Sequence, residues 1–311
     1  MLQSLSVVNG KIKQDPAGFP HLDIYVSPDE AERRHLIDVC GVDEHTLLSS
    51  TDPDETPRVE FEDTHTAVIL KYPKNYSAED NFFFRVKSMG IFLFPPDRIV
   101  IVVDDQVPLF TGRIAGSLRS PQDVLLRTFY QTIRHFETHL RIINMCSDEL
   151  EHEISKSSGN KNLLDMFTLE KGLVYYVNAL NGNGRVIERM KAAASKIGFT
   201  EDNLELLDDL AIENQQFLDQ AQVYSQVLSG LMDARASIIN NNLNIMMKNM
   251  NAIVIAVSVP TFVTGVGGMS EFSAMIGPTM KWYVAYPLFF GGMLFLGFFI
   301  YWVIQRYYNN R

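Results

Sequence analysis

Between positions 240 and 272 the sequence reads NNNLNIMMKNMNAIVIAVSVPTFVTGVGGMSEF, an asparagine cluster that runs without a break into an apolar stretch. Alternating steps of four and three keep residues on one face of a bundled helix. Taken from Asp233, those steps meet Ser237, Asn240, Asn244, Met247, Asn251, Val254 and Ser258. The flanks are apolar: Ile238, Ile245, Met246, Ile253, Ile255, Val257 and Val259. Polar side chains at bilayer depth are costly unless they face protein or water. Several copies of such a helix around an axis would stack rings of amides, a methionine constriction and a serine ring. Amides offer carbonyl oxygens without a fixed charge, which suits a hydrated divalent cation that must not be trapped. Mg²⁺ gives up its water reluctantly, so rings that touch its hydration shell make physical sense. The competing use of Asn and Ser is to join helices through hydrogen bonds. A seam that starts in a polar stretch and enters the apolar one in register fits a water-filled path better.

Other constellations carry less. In HFETH, His135 and His139 stand one helical turn apart, a spacing able to hold a metal, but Glu137 falls between them and the H-E-x-x-H arrangement is missing. An exposed helix face is the expectation there. NGNG at 181–184 reads as a turn between helices: no strand leads into it and no Lys-Ser/Thr follows, as a phosphate loop would need. PPD at 95–97 reads as a hairpin or strand end. No Ser/His/Asp or Cys/His grouping has a catalytic framework, so no catalytic residue and no enzyme is expected.

The elements that must position the seam follow from composition and periodicity. Of 311 residues, 46% are hydrophobic and 21% charged, a soluble average that hides a division. Residues 252–303 contain only Glu271 and Lys281 as charged side chains, which predicts a large soluble part followed by a membrane tail. The net charge of −10 opposes a role in binding nucleic acid, which needs a positive face. It is compatible with attracting cations. The N-terminus has neither a basic n-region nor a long apolar core, so no signal peptide is expected and the soluble part should stay in the cytosol. Cys40 and Cys146 read as free thiols of a reducing compartment.

Residues 1–120 read as an α/β domain. HLDIYV is a strand, and SPDEAERRHLIDVCGV a helix with Ser27 as N-cap, Pro28 at its first position and Glu30 closing a capping box. RVEFEDTHTAVILKYP, RVKSMGIFLFPPD and RIVIVVDD are strands. Residues 121–249 read as a helical region with interruptions at KSSGNKN and NGNG, ending in a stalk helix that begins near Glu201. Continuous to Gly265, that helix would be on the order of 100 Å long, too long for one core and suited to packing against copies of itself. Residues 250–311 read as a transmembrane hairpin with spans at about 250–268 and 283–303 and a short tail, the second span near the ~20 residues a bilayer requires. Lys248 before the first span, and Arg306 and Arg311 after the second, favour cytosolic termini.

At these residues the chain resembles the CorA family of divalent-cation transporters, which includes ZntB-like members. The resemblance rests on SGLMDARASIINNNLNIMMK at 229–248, Pro260, GGMS at 267–270, and Tyr286-Pro287 opening the second span. DETPRVEFED at 54–63, LEKGLVYYVNAL at 169–180 and LLDDLAIENQQ at 206–216 extend it over nearly the whole chain. It implies a homopentameric funnel: an α/β cytosolic domain, a long stalk helix and a two-helix transmembrane hairpin whose first span lines a pore. Carried over by residue, it makes Asn244, Met247 and Met250 pore and gate candidates beside Asn240, Asn251 and Ser258, with Asp233 an acidic ring in the stalk. Asp209 matches a carboxylate that shares a regulatory metal between subunits in some relatives, although it lies in an acidic run whose default is a solvated face. The entrance departs from the family's Tyr-Gly-Met-Asn. Gly268 and Met269 match, Gly267 replaces the aromatic, and Ser270 puts a shorter hydroxyl where the amide stands. Glu271 beside it is either a carboxylate ring at the mouth or a solvated loop charge.

The function this implies is passive uptake of a divalent cation (Mg, Co, Ni or Zn), gated by cytosolic metal. The partners are membrane lipid and further copies of the chain, in the cell inner (plasma) membrane. The alternatives are a membrane-anchored metal sensor or scaffold that passes no ion, and a proton-coupled zinc transporter of the ZntB type.

Overall fold

The run RIVIVV at 98–103 has no polar residue after its arginine, so both faces of its strand must be covered. In the computed structural model, which describes residues 2–8, 11–13, 21–105, 118–156, 160–268 and 281–309, that run is a central strand of a seven-stranded sheet. The strands are β1 (Leu2–Val8), β2 (Lys11–Lys13), β3 (His21–Val26), β4 (Arg58–Phe61), β5 (Thr66–Pro73), β6 (Val86–Phe94) and β7 (Arg98–Val103). Their order is β2-β1-β3-β7-β6-β5-β4. Only β3 and β7 run parallel, and the other described pairs are antiparallel. Alternation sends Ile99, Ile101 and Val103 into the larger core on one face and Val100 and Val102 into a smaller core on the other.

Two sequence expectations change here. RVEFEDTHTAVILKYP is not one strand but the hairpin of β4 and β5, because Glu62–His65 turns and the Glu62 N–H donates to the His65 carbonyl at 3.0 Å. The segment before Leu22 adds the β1–β2 hairpin to the sheet edge; its short, polar-interleaved strands had too weak a signal to be read. PPD does end β6 and open the β6–β7 hairpin.

The smaller core is covered by α1 (Glu30–Asp38) and α2 (Glu44–Ser49), through Leu36 and Leu47. Helix α1 starts later than its sequence suggested. Ser27 is held to the sheet by its N–H on the Val103 carbonyl (2.7 Å) and adopts φ +46°, so it cannot be the cap. Asp29 caps instead and forms a reciprocal box with Glu32.

The larger core lies under α3 (Pro121–Lys156), α4 (Asn160–Ala192) and the first part of α6 (Glu201–Gly267), with α5 (Ala194–Ile197) a short connector. Their buried residues recur at three and four: Phe129, Ile133, Phe136, Leu140 and Ile143 on α3, and Leu207, Leu210, Asn214, Phe217 and Ala221 on α6. Thr200 and Asn203 form the reciprocal cap that opens α6. The chain divides into two compact units, Met1–Met232 and Asp233–Arg311; sheet, α1 to α5 and the start of α6 make the first.

NGNG is not a turn: it lies inside α4. The buried stripe of that helix is Met166, Leu169, Leu173, Tyr176, Leu180, Asn183, Ile187 and Met190, so Asn183 occupies a core position. Its reason is on the sheet. Strand β4 ends its pairing with β5 at Ile69, and Lys71 beyond it would present an unmatched edge. The Asn183 amide covers that edge, accepting from the Lys71 N–H at 2.8 Å and donating to the Lys71 carbonyl at 2.7 Å. Gly182 allows the approach, since a Cβ there would come within 2.7 Å of Pro57 Cγ. Asn183→Ala strands two buried peptide groups and should destabilise the first unit by about 2–4 kcal/mol in denaturant unfolding of the full chain. Asn183→Leu completes the apolar stripe yet should also destabilise, and a neutral leucine would contradict this account.

Candidate functional site

Within the second unit, Asp233–Gly267 of α6 and the whole of α7 (Trp282–Asn309) form an antiparallel pair. Both helices are long and apolar enough to cross a membrane. Small residues set their contact. Ala252 and Ala256 are buried, Pro260 is half-buried, and α7 meets them with Gly297, where a Cβ would lie 3.0 Å from the Ala256 carbonyl oxygen. Close approach through small residues is the usual device of helices packed in lipid. Toward the other end Gln305 donates to the Asn249 side-chain oxygen at 3.3 Å, and Lys248 stands 5.9 Å over the Tyr308 ring. An apolar groove of about 570 Å³ runs along the pair, bordered by Ile253, Pro260, Phe290 and Phe298.

The polar seam lies elsewhere on α6. At 100° per residue, the line through Asn240, Asn244, Met247, Asn251 and Ser258 is about 180° from the face that α7 covers. All of these residues, and Asp233, Ser237 and Val254 with them, are exposed in the single chain. Helix α7 therefore satisfies none of the seam. Met250 is exposed as well, but sits about 90° off the line. The Ser258 hydroxyl donates back to the Val254 carbonyl at 2.7 Å, which leaves its oxygen to present lone pairs. Thr261 and Thr264 turn their hydroxyls back in the same way. One residue on this side was missed: a further step of four from Ser258 reaches Phe262, 74% exposed. The three-four count passes to Thr261 instead, so helical phase at 100° per residue is the signal that finds Phe262.

In the first unit the two candidate metal positions differ in character. Asp208 is paired with Lys191 at 2.6 Å, and its neighbour Asp209 is exposed on α6. HFETH is not an exposed face. His139 is buried and His135 half-buried, because α3 turns this side to α4 and to Phe84. Burial pushes the His135 imidazole below its ordinary pKa, and burial with the neighbouring His135 pushes His139 down to about 3. Among the described residues no three His, Cys, Asp or Glu side chains converge as a metal site. Cys40 and Cys146 are free and partly buried. Met269, Ser270 and Glu271 lie outside the described residues, and Gly268 ends α6 as a turn whose N–H donates to the Thr264 carbonyl at 3.0 Å.

A family model described as CorA-like Mg2+ transporter protein matches residues 21–306. The chain belongs to the CorA family. A relative named Cobalt/magnesium transport protein CorA, from Methanocaldococcus jannaschii, is 26% identical over 259 residues, 80% of this chain and 79% of its own. The complete structure of the CorA magnesium transporter from that organism superposes with a TM-score of 0.77 at 20% identity, over 99% of this chain and 97% of the other. The full-length CmaX protein has the same fold, with a TM-score of 0.69 at 16% identity and 98% of each chain covered. These structures share the CorA architecture of a mixed-sheet domain, a long helix and two apolar C-terminal helices.

In this CorA chain the hairpin contact makes its own prediction. Gly297→Leu should drive α7 from the Ala256 backbone and cost about 1–3 kcal/mol, seen as a lower melting temperature in detergent. Gly291→Leu, where a Cβ would meet nothing within 4 Å, should leave that temperature unchanged.

Proposed function

We propose that the chain is a passive divalent-cation transporter whose copies, five by resemblance to the family, surround an axis lined by the seam of α6. One observation carries this reading: a mostly polar line that runs in register from the asparagine cluster into the apolar stretch of α6, exposed and opposite the face that α7 covers. In a bilayer such a line needs water or other copies of itself. Both helices cross the membrane, and Lys248 and Arg306 favour termini in the cytosol.

Asn240, Asn244 and Asn251 present carbonyl dipoles to the hydration shell of the cation, which passes without losing its inner water. Met247 forms a constriction that blocks ions when dry and conducts when wet. Ser258 adds a ring of acceptor oxygens above it, and Asp233 a ring of carboxylates on the stalk that raises local cation concentration. Met250, a quarter turn away and exposed as well, is the second gate candidate that the resemblance names. Ser270 and Glu271, with Gly268 and Met269, form the outer mouth, where a hydroxyl and a carboxylate take the part of the family's amide. Cytosolic metal bound between subunits at Asp209 holds the closed arrangement, and its loss frees the helices. With Asp208 occupied by Lys191, Asp209 is the carboxylate left for that role.

Flux of Mg²⁺, Co²⁺, Ni²⁺ and Zn²⁺ into liposomes tests the proposal. Asn244→Ala should cut flux of every conducted ion at least several-fold, and Ser270→Asn should shift preference toward Mg²⁺. A wild-type chain passing none of the four, unchanged by either substitution, would leave the sensor or scaffold reading in its place. Flux that requires a proton gradient and favours Zn²⁺ would select the proton-coupled alternative.

A further inference from the structure

On α3, Nε2 of His135 and Nε2 of His139 lie 3.1 Å apart with their rings inclined at 72°. Two imidazole nitrogens on one tetrahedral ion, each at 2.0–2.1 Å, are about 3.3 Å apart. The pair is therefore within a few tenths of an ångström of a chelating separation before any ion arrives. The far side of His139 is also fixed: its Nδ1 is 2.6 Å from the Tyr176 hydroxyl on α4. A partner at Nδ1 is what orients a ligating histidine and sets which nitrogen is free. Phe84 and Phe136 pack edge-on against the His139 and Tyr176 rings, which restricts their rotation.

Without metal, one Nε2 carries a proton and donates to the other. When an ion binds, that proton must leave the space between the rings. His139 then carries its hydrogen on Nδ1 and donates it to the Tyr176 oxygen, which can act either way. Glu137, the residue between the histidines, takes no part, being held by Arg134 at 2.6 Å and Arg141 at 2.5 Å on the outer side. Thr132 lies on the same stripe one turn before His135, and its buried hydroxyl has no hydrogen-bond partner among the described residues. His135 is only half-buried, so the pair has access to solvent.

The geometry points to a bis-histidine site between α3 and α4 for a borderline transition cation such as Zn²⁺, Co²⁺ or Ni²⁺, with water completing the coordination. Imidazole selects these ions over Mg²⁺, which prefers oxygen ligands. The site lies in the first unit, apart from the seam, and its occupancy does not depend on whether the chain conducts.

The test uses the full chain in detergent, stripped by a chelator and dialysed against Co²⁺ with excess Mg²⁺ to fill oxygen sites. The wild type should retain one more Co²⁺ per chain than His135→Gln, which keeps a hydrogen bond to His139 but loses a nitrogen ligand. Its visible spectrum should report nitrogen coordination. Tyr176→Phe, which keeps the buried ring, should bind Co²⁺ about 10- to 100-fold more weakly, while Mg²⁺ binding stays equal in all three proteins. Equal Co²⁺ retention in the wild type and His135→Gln overturns the site. An oxygen-only Co²⁺ spectrum of the wild type overturns it without recourse to any variant. Because binding is read without flux, a failure here leaves the transport reading standing, and the reverse also holds.

Discussion

A polar side chain in hydrocarbon must find water or a partner, and the rest of this chain can be understood from that constraint. Helix α6 carries Asn240, Asn244, Asn251 and Ser258 on one line and the small residues Ala252 and Ala256 on the opposite side. The small line is used up within the chain by Gly297 of α7. The polar line is not used at all, which makes a single copy an incomplete membrane structure. In the proposed assembly, neighbouring copies enclose the line and the water it holds replaces the missing partners. Apolar flanks such as Ile238 and Ile245, out of place on a soluble stalk, are then contacts between copies or with lipid.

The first unit is built on the same principle with the opposite solution. Several of its buried polar groups find partners inside the chain: Asn183 closes the open edge of β5 at Lys71, the Asn214 side-chain N–H donates to the Leu180 carbonyl at 2.9 Å, and Lys71 itself reaches Ser88 at 2.9 Å. Helices α3 and α4 can thus pack directly on a sheet whose strands differ in length. Membership of the CorA family accounts for this architecture, and the local residues show why this sequence adopts it.

Where periodicity is long, the sequence was legible. The 67 residues of α6 and the second apolar helix follow from pattern alone, as do the strands β3, β6 and β7. Legibility failed where one residue answers to a distant partner. NGNG looks like a turn because Asn and Gly favour turns, yet Asn183 serves a strand 112 positions away. Ser27 looks like a cap, but the sheet claims its backbone through Val103. His135 and His139 looked solvated because nothing local reveals that Tyr176 and Phe84 fold over them. The seam itself was legible since it depends only on helical phase, and phase also separates Met250 from Met247, a distinction that resemblance to the family does not make.

In the proposed assembly the line through Asn244 and Ser258 faces water while the line at 180° does not. With Cys40 and Cys146 replaced by serine, single cysteines at Asn244, Asn251, Ser258, Ala252 and Ala256 can be exposed to a membrane-impermeant thiol reagent in intact bilayers. The account predicts modification at Asn244, Asn251 and Ser258, with Ala252 and Ala256 protected by α7. Equal reactivity at all five positions, or protection along the seam with reaction at the alanines, would contradict it.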